Sequence, residues 1–140
     1  MAITKKELIE LLNKDLELEY SAAIQYINHA AVMTGAQYGD IIKELKIQPN
    51  EEIAHALVLA DQISYLGGLP SVDVGNINVD KDNIKMLEQD LAGEEDAIVR
   101  YKVRVQQAEE LQEYALSQQL RNILAMEQEH AMDLESALGK

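Results

Sequence analysis

The 75-residue internal repeat constrains this chain most. Sliding the sequence by that distance lays Ile9 on Ile84, Leu12 on Leu87, Asp15 on Asp90, Leu16 on Leu91, Glu19 on Glu94 and Tyr26 on Tyr101. The register holds without insertion through Leu45 on Leu120, Glu52 on Glu127, His55 on His130, Ala56 on Ala131 and Leu59 on Leu134. Helical sequences share leucine spacing by chance; matched Asp, Glu, Tyr and His do not follow from apolar periodicity. The repeat therefore predicts two helix pairs related by a pseudo-two-fold axis.

The periodicity supplies the helices. Thr4, with Glu7 three residues on, is a capping-box start, and apolar residues then recur at Leu8, Leu12, Leu16, Ala23, Tyr26, Ala30 and Met33 up to Gly35. A second stripe runs through Ile42, Leu45, Ala56, Leu59, Ile63 and Leu66 and stops at Gly67-Gly68-Leu69-Pro70. A third passes through Ile84, Leu87, Leu91, Ile98, Tyr101, Val105 and Ala108, and a fourth through Leu116, Leu120, Ile123, Leu134 and Leu138. Helices are expected at about 4–34, 40–66, 82–111 and 115–138, in a single domain over 1–140. The aperiodic stretch before Asp82, with its Gly, Pro, Asn, Asp and Ser, reads as a long connection. Short, long and short links make this an all-α, antiparallel four-helix bundle with one long crossover. Pro49 lies inside the second helix and predicts a bend there.

Polar residues interrupt each stripe. Glu19 stands where the step after Leu16 calls for an apolar residue, and Glu94 does the same after Leu91. On the other two helices Glu52 with His55, and Glu127 with His130, break the series at matching heights. Buried ionised carboxylates protonate or find partners, and four together repel one another. Arg100 and Arg104 fall off the line through Glu94 and Tyr101, so no Lys or Arg on the stripes neutralises them. Two divalent ions would balance four glutamates and leave both imidazoles neutral to ligate. Residues at i and i+3 share a helix face, which lets each Glu-x-x-His reach one cluster. The nitrogen–oxygen donor set favours two iron ions, with manganese the alternative, over calcium or magnesium. The chain has no cysteine, which excludes thiolate-ligated centres.

Asp15 and Asp90 sit one turn before Glu19 and Glu94, and the repeat suggests that Asp90 orients His55 and Asp15 orients His130. Tyr26 and Tyr101, two turns beyond Glu19 and Glu94, are placed to hydrogen-bond ligating carboxylates, to supply an electron, or simply to pack. His29 falls about 80° around the helix from Glu19, a structural or solvent-facing position.

With 25 acidic and 12 basic residues the chain carries a formal charge of −13, which disfavours nucleic acid and anionic membranes and suits metal cations. The N-terminus enters helical periodicity without an apolar leader, and no apolar run reaches spanning length, so a soluble cytoplasmic protein is expected. Phosphate-binding glycine loops and nucleophile–base pairs are not evident.

Glu19 with Gln25-Tyr26, Glu52-Ile-Ala-His55, Gly68-Leu69-Pro70, Asp90-Leu91-Ala92 with Glu94, and Glu127-Gln-Glu-His130 together resemble the dinuclear ferroxidase site of the bacterioferritins over nearly the whole chain. The resemblance implies Glu19 and Glu94 as terminal ligands and Glu52 and Glu127 as bridges. It also implies oxidation of Fe(II) by oxygen or hydrogen peroxide and a homo-oligomer. Rubrerythrin-like proteins are less similar, because Ala97 stands where they place a further carboxylate. Ile53 occupies the position of the family's haem-binding methionine, so haem is not expected. The chain ends at Lys140, soon after the fourth helix and without the family's short fifth one, so a dimer or a small shell is expected. Two other readings stand beside ferroxidase activity with iron storage or detoxification. One is a dinuclear iron or manganese peroxidase, catalase or oxygenase; the other is a non-catalytic metal-binding bundle.

Overall fold

The computed structural model describes residues 3–140. Among them are four α-helices, α1 (Lys5–Val32), α2 (Gly39–Tyr65), α3 (Asn83–Glu110) and α4 (Tyr114–Ala137), a one-turn 3-10 helix at Ala36–Tyr38, and no strand. α1 opens on the capping box: the Glu7 N–H donates to Thr4 Oγ1 at 3.1 Å and the Thr4 N–H to Glu7 Oε1 at 3.0 Å. It ends at Val32, where Met33 turns extended ahead of Gly35 at φ +110°, a conformation glycine adopts without a Cβ penalty. Asp82 caps α3 by accepting from the Lys85 N–H at 3.0 Å. α2 continues as helix through Pro49, which is buried.

Each hairpin, α1 with α2 and α3 with α4, is closely packed, and the hairpins meet through α1 against α3 and α2 against α4. The crossover returns alongside α1 in ascending order. The Leu69 carbonyl accepts from Asn13, Ser71 Oγ donates to Glu17, and the Gly75 N–H donates to the Glu17 carbonyl. Farther along, the Asn78 N–H donates to Gln25, and Asn83 donates to the Thr34 carbonyl. These contacts satisfy backbone groups of a segment with no ladder of its own. They also deliver α3 to the far end of the bundle, so that it runs antiparallel to α1.

The core is divided. One apolar cluster is built around Leu8, Leu12, Leu16, Leu59, Ile63 and Leu120, the other around Leu45, Met86, Leu87, Leu91 and Leu134. A layer of acids and imidazoles lies between them. Most stripe residues fall inside as the spacing predicts, but Ile84 is 41% exposed and its neighbour Met86 is fully buried. Among the described residues no helix is long and apolar enough to cross a membrane.

Candidate metal centre

Glu19, Glu52, His55, Glu94, Glu127 and His130 are brought together at mid-height, all buried. Their donor atoms form two overlapping groups, Glu19–Glu52–His55–Glu127 and Glu52–Glu94–Glu127–His130, each with all ligand atoms within 4.8 Å of one another. Glu52 and Glu127 belong to both groups, the position a bridging carboxylate must occupy; Glu19 and Glu94 each belong to one. His55 Nδ1 lies 3.2 Å from Glu127 Oε1 and 3.5 Å from Glu19 Oε2, and His130 Nδ1 lies 3.4 Å from Glu52 Oε1 and 3.5 Å from Glu94 Oε1.

The donor set fits metal ions on a further ground. Glu19 Oε2, Glu52 Oε1, His55 Nδ1, Glu94 Oε2, Glu127 Oε1 and His130 Nδ1 are all buried without a hydrogen-bond partner, one atom from each of the six residues. Buried polar atoms are normally paired. Six such atoms in one buried layer form a donor set that could hold metal ions.

The electrostatics carry the same strain. Burial, then the charges of Glu19, Glu127 and Glu94, hold the Glu52 carboxyl well above its ordinary range. Burial and the charges of Glu19 and Glu94 do the same to Glu127. Burial alone would depress His55, but its contacts with Glu127 and Glu19 raise it to about 10; His130, likewise opposed by burial, is raised by Glu94 and Glu51 to about 9. Without metal the cluster holds protons in its place.

Both tyrosines touch the cluster, and they do so crosswise. Tyr26 on α1 donates its hydroxyl to Glu94 on α3, and Tyr101 on α3 donates to Glu19 Oε1 on α1 at 2.6 Å. Burial first, then these carboxylates, push both phenols well above their usual range, so they stay protonated donors.

The two aspartates do not orient the ligand histidines. Asp15 binds Arg100 Nη1 at 2.7 Å and Arg104 Nε at 2.6 Å. Arg104, off the stripe by helical geometry, is buried because its long side chain reaches back across the α1–α3 seam. Removing one partner from such a buried pair costs about 3–5 kcal/mol, which makes Asp15 a structural residue. Asp90 instead binds His29 Nδ1 at 2.8 Å and the Gln25 amide at 2.9 Å. His29 is structural and fully buried, with its Nε2 3.0 Å from the Asn78 carbonyl. A carbonyl only accepts, so Nε2 carries the proton there. The repeat aligned both aspartates correctly but could not show which long side chain of the facing helix reaches each one.

The residue that does contact a ligand histidine is Glu51, whose Oε2 meets His130 Nε2. Its place next to Glu52 was the only sequence signal for it.

A cavity of about 730 Å³ opens between α1, α3 and the crossover and reaches Glu19, Glu52, Glu94 and Glu127, with Asn76, Asn78, Glu88 and Asp96 nearer its mouth. On the α1–α2 side a smaller apolar hollow is lined by Tyr20, Ala23, Ile24, Ile27, Ile53, Val72 and Val74.

The metal-free protein should lose stability with rising pH. Histidines of the unfolded chain titrate near 6.5, whereas His55 and His130 hold their protons to about 10 and 9. That stabilisation is complete below pH 6.5 and is lost as pH rises through the folded values. Glu52 and Glu127, raised in the folded state, act in the same direction. Thermal unfolding from pH 6.5 to 9 should show a falling midpoint that saturating Mn(II) flattens; a level metal-free profile would contradict the charge account.

A ferritin-like domain model matches residues 9–140. The chain is 32% identical over 133 residues to the bacterioferritin of Brucella melitensis, covering 94% of this chain and 83% of that one. A ferritin-like diiron-carboxylate protein from Bacillus anthracis superposes with a TM-score of 0.93 at 36% identity, covering 99% of both chains. A dodecameric thioferritin, the bacterioferritin-related protein of Bacteroides fragilis, gives 0.90 at 31% identity over 98% of this chain and 87% of its own. Fold, internal repeat and carboxylate–histidine layer agree with these likenesses: the chain is a bacterioferritin-like member of the ferritin-like family.

Proposed function

We propose that this protein is a ferroxidase that takes two Fe(II) ions as substrate in each bundle and passes their electrons to oxygen or hydrogen peroxide, in the service of iron storage or detoxification. The observation that carries the reading is the set of six orphaned, buried donor atoms, one on each of Glu19, Glu52, His55, Glu94, Glu127 and His130. Two adjacent iron ions supply the two electrons that reduce peroxide to water. Glu52 and Glu127, which belong to both donor groups, would hold both ions, while Glu19 and Glu94 would each hold one. The four carboxylates match the charge of two Fe(II) ions and stabilise the higher charge that oxidation brings. Tyr26 and Tyr101 fix the terminal carboxylates by hydrogen bonds. The cavity between α1 and α3, with polar and acidic residues toward its mouth, suits entry of a hydrated cation.

Its size also favours a second reading, in which the same centre, with iron or manganese, acts on peroxide or oxidises a small organic molecule. Metal analysis of the purified protein and product analysis separate the two readings. For the first, metal-free protein is titrated anaerobically with Fe(II), and oxidant is then admitted. Binding should saturate at about two ions per chain, and Fe(III) absorbance should then rise rapidly, a response missing from a Glu94→Ala/Glu127→Ala variant. Oxidation equal to the variant's would overturn the proposal.

A homo-oligomer belongs to this reading. Ile24, Ile27, Ile53 and Val74 are 43%, 58%, 45% and 48% exposed around one hollow, and contiguous apolar surface of this kind suits contact with a second copy of the chain. The dodecameric relative supports a shell. Native mass should be a multiple of 15.7 kDa, and Ile27→Glu/Ile53→Glu should lower it; a monomeric wild-type protein would contradict the assignment.

A further inference from the structure

The repeat makes the two halves of the centre near copies, and it fails at one residue in contact with a ligand. His130 turns Nδ1 toward Glu52 and Glu94 and presents Nε2 to Glu51 Oε2 on α2. His55 turns Nδ1 toward Glu127 and Glu19 in the same way. The residue on α4 that the repeat pairs with Glu51 is Met126, and no hydrogen bond to His55 Nε2 exists among the described residues. A thioether is a weak acceptor and carries no charge.

An imidazole that ligates through one nitrogen and donates its other N–H to a carboxylate is fixed in tautomer and ring orientation, and it is a stronger donor to the metal. We propose that Glu51 is a positioning residue for His130, and that it makes the position bounded by Glu94 and His130 the tighter-binding of the two. This inference rests on the dinuclear reading above. Glu51 keeps 30% of its side chain exposed, so its carboxylate remains partly solvated on the α2–α4 side, opposite the α1–α3 cavity. The asymmetry gives the centre an order of filling: the His130 position loads first and the His55 position second.

Co(II) is the probe, because it is stable in air and its visible absorption reports ligand geometry. Metal-free wild-type protein should bind two Co(II) per chain in two separable steps, with His130→Ala removing the tighter and His55→Ala the weaker. Glu51→Met, which copies the other half, should weaken the tighter step about 10–100-fold and shift its absorption. Glu51→Gln, which keeps an acceptor without the charge, should fall between. Met126→Glu should tighten the weaker step. The weaker step, which belongs to His55, should keep its affinity and absorption in Glu51→Met, a result that separates positioning of His130 from a general structural role. Two steps unaltered by Glu51→Met would overturn this inference alone. Fewer than two Co(II) per wild-type chain would overturn the dinuclear reading and this inference with it.

Discussion

Four carboxyl groups facing one another in the middle of a helical bundle impose a condition that the rest of the molecule is arranged to meet. Taken singly, each would protonate or seek a base, and taken together they repel. The apolar clusters above and below hold the layer closed, with fully buried leucines such as Leu12, Leu16, Leu45 and Leu87 on either side. Among the described residues, His55 and His130 are the cationic groups paired with the four glutamates; they hold their protons to about 10 and 9 and so stand in for the cations. On the proposed reading, metal would replace those protons and take the six buried donor atoms as its ligands. On this account the interior charge is stored for a metal ion, and the surrounding packing keeps it from relaxing.

The supporting contacts are divided by the same logic. Two groups that touch the cluster donate to its carboxylates without adding charge, Tyr26 to Glu94 and Tyr101 to Glu19, while the charged Glu51 meets it at His130. Groups that carry charge are paired off away from it, Asp15 with Arg100 and Arg104, Asp90 with His29. The Asp90–His29 pair also ties the crossover to α1 through the Asn78 carbonyl. The long connection, α1 and α3 are thus joined by one buried polar network. Satisfied networks of this kind rigidify the elements they join.

Much of this arrangement was legible in the sequence, because an inward residue on a helix is fixed by its spacing alone. Glu19, Glu52, His55, Glu94, Glu127 and His130 were found by asking which polar residues sit where leucine belongs, and the repeat aligned their heights. The partners of Asp15 and Asp90 were not legible. Their contacts depend on how far Arg104 and His29 reach across the seam between α1 and α3, which periodicity does not encode. Glu51 was hidden for a related reason: it sits at the edge of the inward face, and only the rotation of α2 against α4 brings it to His130. Ile84 shows the limit at helix ends: the average period places it inward, and Met86 takes the buried position instead.

The two halves share a design, and of the side chains in contact with the two histidines of the layer Glu51 has no counterpart in the other half, where the repeat places Met126. The claim beneath every step is that the buried acid layer is a two-ion site. Crystals of the protein loaded anaerobically with Fe(II) and measured at the iron absorption edge test it most directly. The account predicts two anomalous peaks in each chain, about 3.5–4 Å apart, one beside His55 Nδ1 and the other beside His130 Nδ1, with Glu52 and Glu127 between them. A single peak, or iron only at surface carboxylates, would contradict it.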